Sequence, residues 1–138
     1  MKRVLVIDDN LYNYKEYIEK VGERYWTNMC ESIYKAEYAL ETHTYDVIVI
    51  DIMMPTCGLL KDKNDLKTGV SFYNEKMRNI DWVSNAIILF WSHLSNDTFN
   101  DYFSEGKPDN VYFLHKDTDD DFHLVNKIDE LVYGVKPT

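Results

Sequence analysis

The 138-residue chain sets 15 Lys and Arg against 24 Asp and Glu, a formal net charge of -9, so it lacks the basic footprint that phosphate-backbone binding requires and direct nucleic-acid recognition is not expected. With 45% hydrophobic and 14% aromatic residues, it is long enough for one domain with a substantial core and too short for two ordinary ones; residues 1–138 are read as a single domain. Cys30 and Cys57 show no CxxC or Cys/His ligand spacing, Asp8 and Asp9 interrupt the first apolar run too early for a signal peptide, and no apolar run approaches a membrane span, which together fit a reduced, cytoplasmic protein with no membrane partner.

Apolar runs rich in β-branched residues alternate along the chain with helix-period segments, the pattern of a parallel sheet covered on both faces. The first strand is expected near Arg3–Ile7. Leu11, Tyr14, Ile18 and Val21 then fall at helical spacing, with Gly22 as a left-handed stop. A second strand near Tyr25–Met29 alternates and is more polar, which suits an edge. Ile33, Ala36 and Leu40 mark the second helix, and Asp46–Ile50 the third strand. Val70, Tyr73, Met77 and Ile80 give a third helical stripe, followed by a strand near Ala86–Trp91. The fourth helix is short: Ser95 or Asn96 caps it, Phe99 and Phe103 face inward, and Gly106 ends it. The fifth strand covers Val111–His115, and the fifth helix is expected from Thr118, capped by that hydroxyl with Asp121 as its N3 partner, burying Phe122, Val125, Ile128 and Val132. Asp117, Asp119, Asp120 and Asp121 would then meet the positive end of the helix dipole. The fold class is α/β, a (βα)5 chain in which strands one, three and four hardly alternate and so look buried on both faces.

In a parallel sheet the residues just after each strand gather along one edge, where α/β proteins place their chemistry. Here that edge collects Asp8 and Asp9 after the first strand, Asp51 after the third, Ser92 after the fourth, and His115 and Lys116 at the end of the fifth. Singly, each has an ordinary explanation as a cap, a turn former or a surface charge. Together they do not: carboxylates about 5 Å apart repel by roughly 3 kcal/mol per pair at an effective dielectric of about 20. A cation must sit among them, and an all-oxygen set suits Mg2+, or Mn2+, better than a softer metal. A hydroxyl, an ammonium and a divalent ion around one carboxylate are the parts needed to accept a phosphoryl group. Asp51 would be the nucleophile, Asp8 and Asp9 would hold the metal, and Ser92 and Lys116 would contact phosphoryl oxygens.

VLVIDDN, VIVIDIMMP, ILFWS and YFLHK, in this order and at these separations, resemble the receiver domain of two-component response regulators over essentially the whole chain. The resemblance implies a three-layer, doubly wound, flavodoxin-like sheet in the order 2-1-3-4-5. It implies that Asp51 is the phosphorylated aspartate, Asp9 a direct Mg2+ ligand, Asp8 an acid reaching the metal through water, and the main-chain carbonyl of Met53 a further ligand. Ser92 matches the switch hydroxyl, Lys116 the family's lysine, and Phe113 the aromatic residue that moves when the hydroxyl engages the phosphate. The implied donor is phosphohistidine on a sensor histidine kinase or phosphotransfer protein, and the implied output is a downstream protein read on the face of the fourth helix, fifth strand and fifth helix. Such a protein is a signalling phosphoacceptor and not a turnover enzyme.

Three positions depart from that family. Asp117 stands where receivers carry a proline after a cis peptide bond, and a trans bond is expected in its place. His93 stands where a small residue follows the switch hydroxyl, its ring screening Asp51 from donors or water, hydrogen-bonding the phosphoryl group, or simply packing at the rim as a partly buried residue. Thr56–Thr68 is long for a βα loop, which usually runs roughly two to six residues; Gly69 is the glycine expected to open the third helix, and the extra residues beside the site are either a lid or partner contact or, slightly favoured because loops lengthen at little thermodynamic cost, a tolerated surface excursion. Two rival readings follow. One is a degenerate receiver acting as a phosphorylation-independent binding module. The other is a phosphohydrolase with an aspartyl nucleophile, opposed by Met53, which stands where the haloacid dehalogenase class wants a second acid. With only GVKPT after Tyr133, no output domain is expected, so the chain would bind a partner, relay its phosphoryl group or be part of a longer polypeptide.

Overall fold

The central strands are apolar on both faces because both are covered: Val4–Ile7, Val47–Ile50 and Ile88–Ser92 are buried without a break. In the computed structural model, which describes residues 1–134, β1 (Arg3–Ile7), β2 (Trp26–Cys30), β3 (Val47–Ile50), β4 (Ile87–Ser92) and β5 (Val111–His115) form one parallel sheet in the order β2-β1-β3-β4-β5. The helices are α1 (Lys15–Gly22), α2 (Ile33–Thr42), α3 (Thr68–Glu75), α4 (Asn96–Tyr102) and α5 (His123–Tyr133). The tail expected after the fifth helix, Val135–Thr138, lies outside the described residues.

Side-chain alternation along the strands sorts two cores onto opposite faces. Leu5, Ile7, Ile48, Ile50, Ile88 and Phe90 pack with Ile33, Ala36 and Leu40 of α2, Phe72 and Tyr73 of α3, and Phe99 of α4. Val4, Val6, Val47, Val49, Leu89 and Trp91 pack with Tyr14, Tyr17, Ile18 and Val21 near and on α1, and with Leu124, Val125 and Ile128 of α5. At the far side of this second core, Tyr25 Oη and Arg24 both donate to the Asp129 carboxylate, tying α5 to the start of β2.

The expected order, with the more polar second strand at an edge, is the observed one. Ser95 caps α4 by accepting from Thr98 N at 3.1 Å, and Gly106 takes a left-handed φ of 123° beyond it. Several local expectations are corrected. Gly22 is the last residue of α1 and is not left-handed; Glu23 closes the helix in a right-handed conformation, its N–H reaching Glu19 O and Val21 O. Met77 and Ile80 fall beyond α3, which ends at Glu75. The fifth helix begins at His123 and not at Thr118, with no side-chain cap. Asp117 and Asp120 instead use their carboxylates on N–H groups two residues ahead, Asp119 N and Phe122 N, both at 2.9 Å. Such turns compete with helix for short acidic side chains, so the acid run precedes the helix and Phe122 is 44% exposed, its ring beneath the Lys20 ammonium.

The segment between β3 and α3 is anchored to the domain. Leu60 is buried in the first core, and the Glu75 carboxylate accepts Lys61 N at 2.8 Å and Asp62 N at 3.2 Å. Met54 N donates to Asp65 O, Thr68 Oγ1 donates to Met54 O, and a short 3-10 turn over Asp65–Lys67 leads into α3. Among the described residues no helix is long and apolar enough to cross a membrane.

Candidate functional site

The sheet ladder places the acids before any side chain is considered. Ile7 pairs with Ile50, and the ladder runs one residue further, with Asp51 N donating to Ile7 O and Asp8 N to Cys30 O, both at 3.0 Å. On the other flank, Ser92 pairs with His115 and Lys116 N donates to Ser92 O at 2.8 Å. Asp8, Asp51, Ser92 and Lys116 therefore leave their strands at one level.

Their side chains converge. One carboxylate oxygen from each of Asp8, Asp9 and Asp51 lies within 4.8 Å of the other two. Lys116 Nζ donates to Asp8 Oδ2 at 2.8 Å and to Asp51 Oδ2 at 3.2 Å. Asp51 Oδ1 accepts the N–H of Ile52 at 2.7 Å, and Asp8 Oδ1 that of Asn10 at 2.8 Å, so each carboxylate has one oxygen held by backbone. Asp8, Asp51, Ser92 and Lys116 are buried, whereas Asp9 is exposed. The Ser92 hydroxyl accepts from Leu94 N at 3.3 Å, leaving its own proton to donate.

Two rings that sequence reasoning assigned only to the core also belong to the site. The Lys116 ammonium lies 3.9 Å from the Tyr14 ring centre and 4.8 Å from that of Trp91, so a buried cation rests on π faces where it cannot reach water. The only signal was an aromatic residue directly before Ser92. His93 is tied to the same cluster, its Nε2 hydrogen-bonded to the Tyr14 hydroxyl at 2.5 Å and its carbonyl 3.1 Å from His115 Nε2. Burial, and then the neighbouring Lys116 and His115, holds the His93 imidazole below its usual range; in that neutral form Nε2 accepts the Tyr14 proton. Phe113 packs on the other side of the sheet, its ring stacked on Phe99 with centroids 4.9 Å apart. The structure has no cis peptide bond among the described residues, so the bond before Asp117 is trans, as expected.

No family model matches this sequence, and no curated protein matches it. Solved structures do. The receiver domain of the Francisella response regulator 1452 is 24% identical, with a TM-score of 0.64, over 96% of this chain and 94% of that one. Chemotaxis protein CheY4 of Vibrio cholerae is 17% identical, with a TM-score of 0.75, over 95% and 98%. The fold is that of response-regulator receiver domains. Response regulator TrrA of Thermotoga maritima, solved in complex with Mg(2+)-BeF, is 22% identical, with a TM-score of 0.66, over 95% and 99%.

The acid cluster of this receiver fold fits a hard divalent cation on its own chemistry. Its donors are all oxygen, and three carboxylates face one ammonium. Burial and the charge of Asp51 push the Asp8 carboxyl up despite Lys116, and burial and the charge of Asp8 push Asp9 up. The carbonyls of Ile52 and Met54 are taken by Gly69 N–H and Thr68 Oγ1; among the described residues no donor reaches that of Met53.

These raised values predict the pH dependence of the metal-free protein. A carboxyl that titrates higher when folded than its unfolded value near about 3.9 binds more protons in the native state, so its contribution to stability falls as pH rises through that window. Asp8→Asn removes the penalty at the buried member of the cluster whose carboxyl is pushed up. The stability of Asp8→Asn relative to wild type, from urea unfolding without divalent ions, should therefore increase between about pH 4.5 and about pH 7. An unchanged difference would contradict the assigned burden on Asp8.

Proposed function

We propose that the protein is a phosphoacceptor receiver in which Asp51 takes a phosphoryl group from phosphohistidine on a sensor kinase or phosphotransfer protein, in a reaction that requires Mg2+ (or Mn2+). The observation that carries this reading is the pairing of Asp51 Oδ2 with Lys116 Nζ at 3.2 Å, inside a cluster with Asp8 and Asp9. Hydrogen bonding from Ile52 N orients the Asp51 carboxylate for in-line attack on phosphorus; the O–P bond forms as the P–N bond to the donor imidazole breaks and that ring leaves with the electron pair. Such transfer needs positioning and charge neutralisation more than covalent assistance. Lys116 shifts from Asp51 to an incoming phosphoryl oxygen, and Ser92 donates its free proton to another. A divalent ion held by Asp9, Asp51 and the Met53 carbonyl, with Asp8 behind it through water, would supply the remaining positive charge. Engagement of Ser92 by phosphate would be passed to Phe113 and to the face of α4, β5 and α5, where a downstream protein reads a shifted population. The reaction is a single transfer to the chain itself, placed in the cytoplasm.

Exposure to acetyl phosphate with Mg2+ should add one phosphoryl mass to the wild type and none to Asp51→Asn. Absence of that gain, together with no spectral response to Mg2+ and beryllofluoride, would leave the degenerate binding module as the better reading; the Tyr14–His93 hydrogen bond beside Lys116 is the feature that favours it. Multiple turnover of small phosphomonoesters would instead indicate a phosphohydrolase.

A further inference from the structure

Behind Lys116, one imidazole accepts two hydrogen bonds that both lead to that lysine. His123, the first residue of α5, is nine-tenths buried. Its Nε2 accepts Trp91 Nε1–H at 2.9 Å and Asp117 N–H at 3.1 Å, while its Nδ1 lies 2.7 Å from Asp120 O. Two donors on one nitrogen and an acceptor against the other assign the neutral ring with its proton on Nδ1. The Tyr17 ring meets His123 edge to face at 5.1 Å, and Tyr17 Oη donates to Thr118 O at 3.1 Å, so the turn from Lys116 to α5 is held at several points.

We propose that His123 is a positioning residue for Lys116, setting the ammonium through the Trp91 ring beneath it and through the Asp117 N–H next to it in the chain. The functional part rests on the phosphoacceptor reading of Asp51. The argument is one of need. A proline after the lysine has no N–H to satisfy, whereas Asp117, although it stands in an exposed turn, aims its N–H at the buried His123 imidazole, and a donor turned toward the core must find an acceptor there. Trp91 likewise brings an indole N–H into the core beside α5. A hydrophobic residue at position 123 would strand both donors, and each could be satisfied only by moving: the indole by turning away from Lys116, the Asp117 peptide by turning toward solvent. Either motion displaces a cation whose hydrogen bonds to Asp8 and Asp51 are 2.8 and 3.2 Å long. A purely space-filling role for His123 would need neither bond.

The test uses the full chain with saturating Mg2+ and acetyl phosphate as donor. His123→Leu should slow phosphorylation of Asp51 about tenfold at saturating donor, the scale of a small misplacement of a contacting group, with the half-saturating donor concentration unchanged. His123→Gln, whose amide oxygen can occupy the place of Nε2, should return the rate to within about threefold of wild type. Trp91→Phe, which keeps a ring and deletes its donor, should fall between, and with His123→Gln it keeps the comparison decisive if the leucine variant does not fold. In unphosphorylated protein, the NMR signals of the Lys116 Cε protons, shifted by the Tyr14 and Trp91 rings, should move in His123→Leu and return in His123→Gln. A folded leucine variant with the wild-type rate and unmoved Lys116 signals, or a glutamine variant as slow as the leucine one, overturns the proposal. Should the wild type itself accept no phosphoryl group, the phosphoacceptor reading fails, and the Lys116 signals alone decide the positioning claim.

Discussion

Lys116→Met should destabilise the metal-free protein by about 3–5 kcal/mol at neutral pH, the usual cost of removing one member of a buried ion pair, and should end phosphoryl uptake by Asp51. The lysine is buried to 2% of its side-chain surface, and Asp8, which it contacts, is wholly buried. Methionine fills much of the same volume, so the loss isolates charge from packing. With the ammonium gone, Asp8 and Asp51 face each other across a low-dielectric space with only Ile52 N–H and Asn10 N–H to hold them. Two responses follow from that arrangement. Lowering the pH should recover stability, because a protonated Asp8 no longer needs a cation, and millimolar Mg2+ should recover more stability in the variant than it adds to wild type. Urea unfolding in the four combinations of wild type or variant, with and without Mg2+, gives the answer directly. A loss below about 1 kcal/mol, the range of exposed pairs, would mean that the Asp8–Lys116–Asp51 pairing carries little.

Gly69→Ala should cost about 3 kcal/mol, at the upper end of ordinary overpacking because the clash is with backbone. A Cβ built at Gly69 would stand 2.1 Å from the carbonyl oxygen of Asp51 and 3.0 Å from both Asp51 C and Ile52 Cα. Gly69 N also donates to Ile52 O at 2.8 Å, so the start of α3 is locked against the chain immediately behind Asp51. Relief requires moving α3 or Asp51, and the second would also weaken the Mg2+ binding proposed for the acid cluster. Gly22→Ala is the internal control: it ends α1, has open space where the Cβ would go and lacks a positive φ. There the substitution should stabilise by about 0.4–1 kcal/mol through the unfolded chain. Equal effects at the two glycines would remove the packing argument for Gly69.

The acids and Lys116 were legible because their placement follows from one topological fact. Once Val4–Ile7, Val47–Ile50 and Val111–His115 are parallel strands, Asp8, Asp51 and Lys116 must emerge on the same edge. Gly69 was legible as the opening of α3, though not the reason for it, since its contact is with backbone at Asp51. The turn before α5 was misread because the sequence offers Thr118 and Asp121 as a capping box, while Asp117 and Asp120 close turns of their own that postpone the helix to His123. His123 itself carried no signal. Its partner Trp91 is 32 residues away, and Tyr14, which meets both Lys116 and His93, is 79 residues from the latter; spacing rules reach only a few residues along a helix or strand.

Sequence by itself determined the α/β class, the alternating elements, the buried central strands and the set of charged residues at the strand ends, because periodicity and chain direction are local properties that a parallel sheet converts into position. Tertiary structure alone decided which of those charges are buried and what compensates them. It sealed Asp8 while leaving Asp9 open, laid Lys116 across Tyr14 and Trp91, and turned His123 from a helix residue into the shared acceptor behind the lysine. Burial and pairing depend on what arrives from elsewhere in the chain, and no local pattern records that.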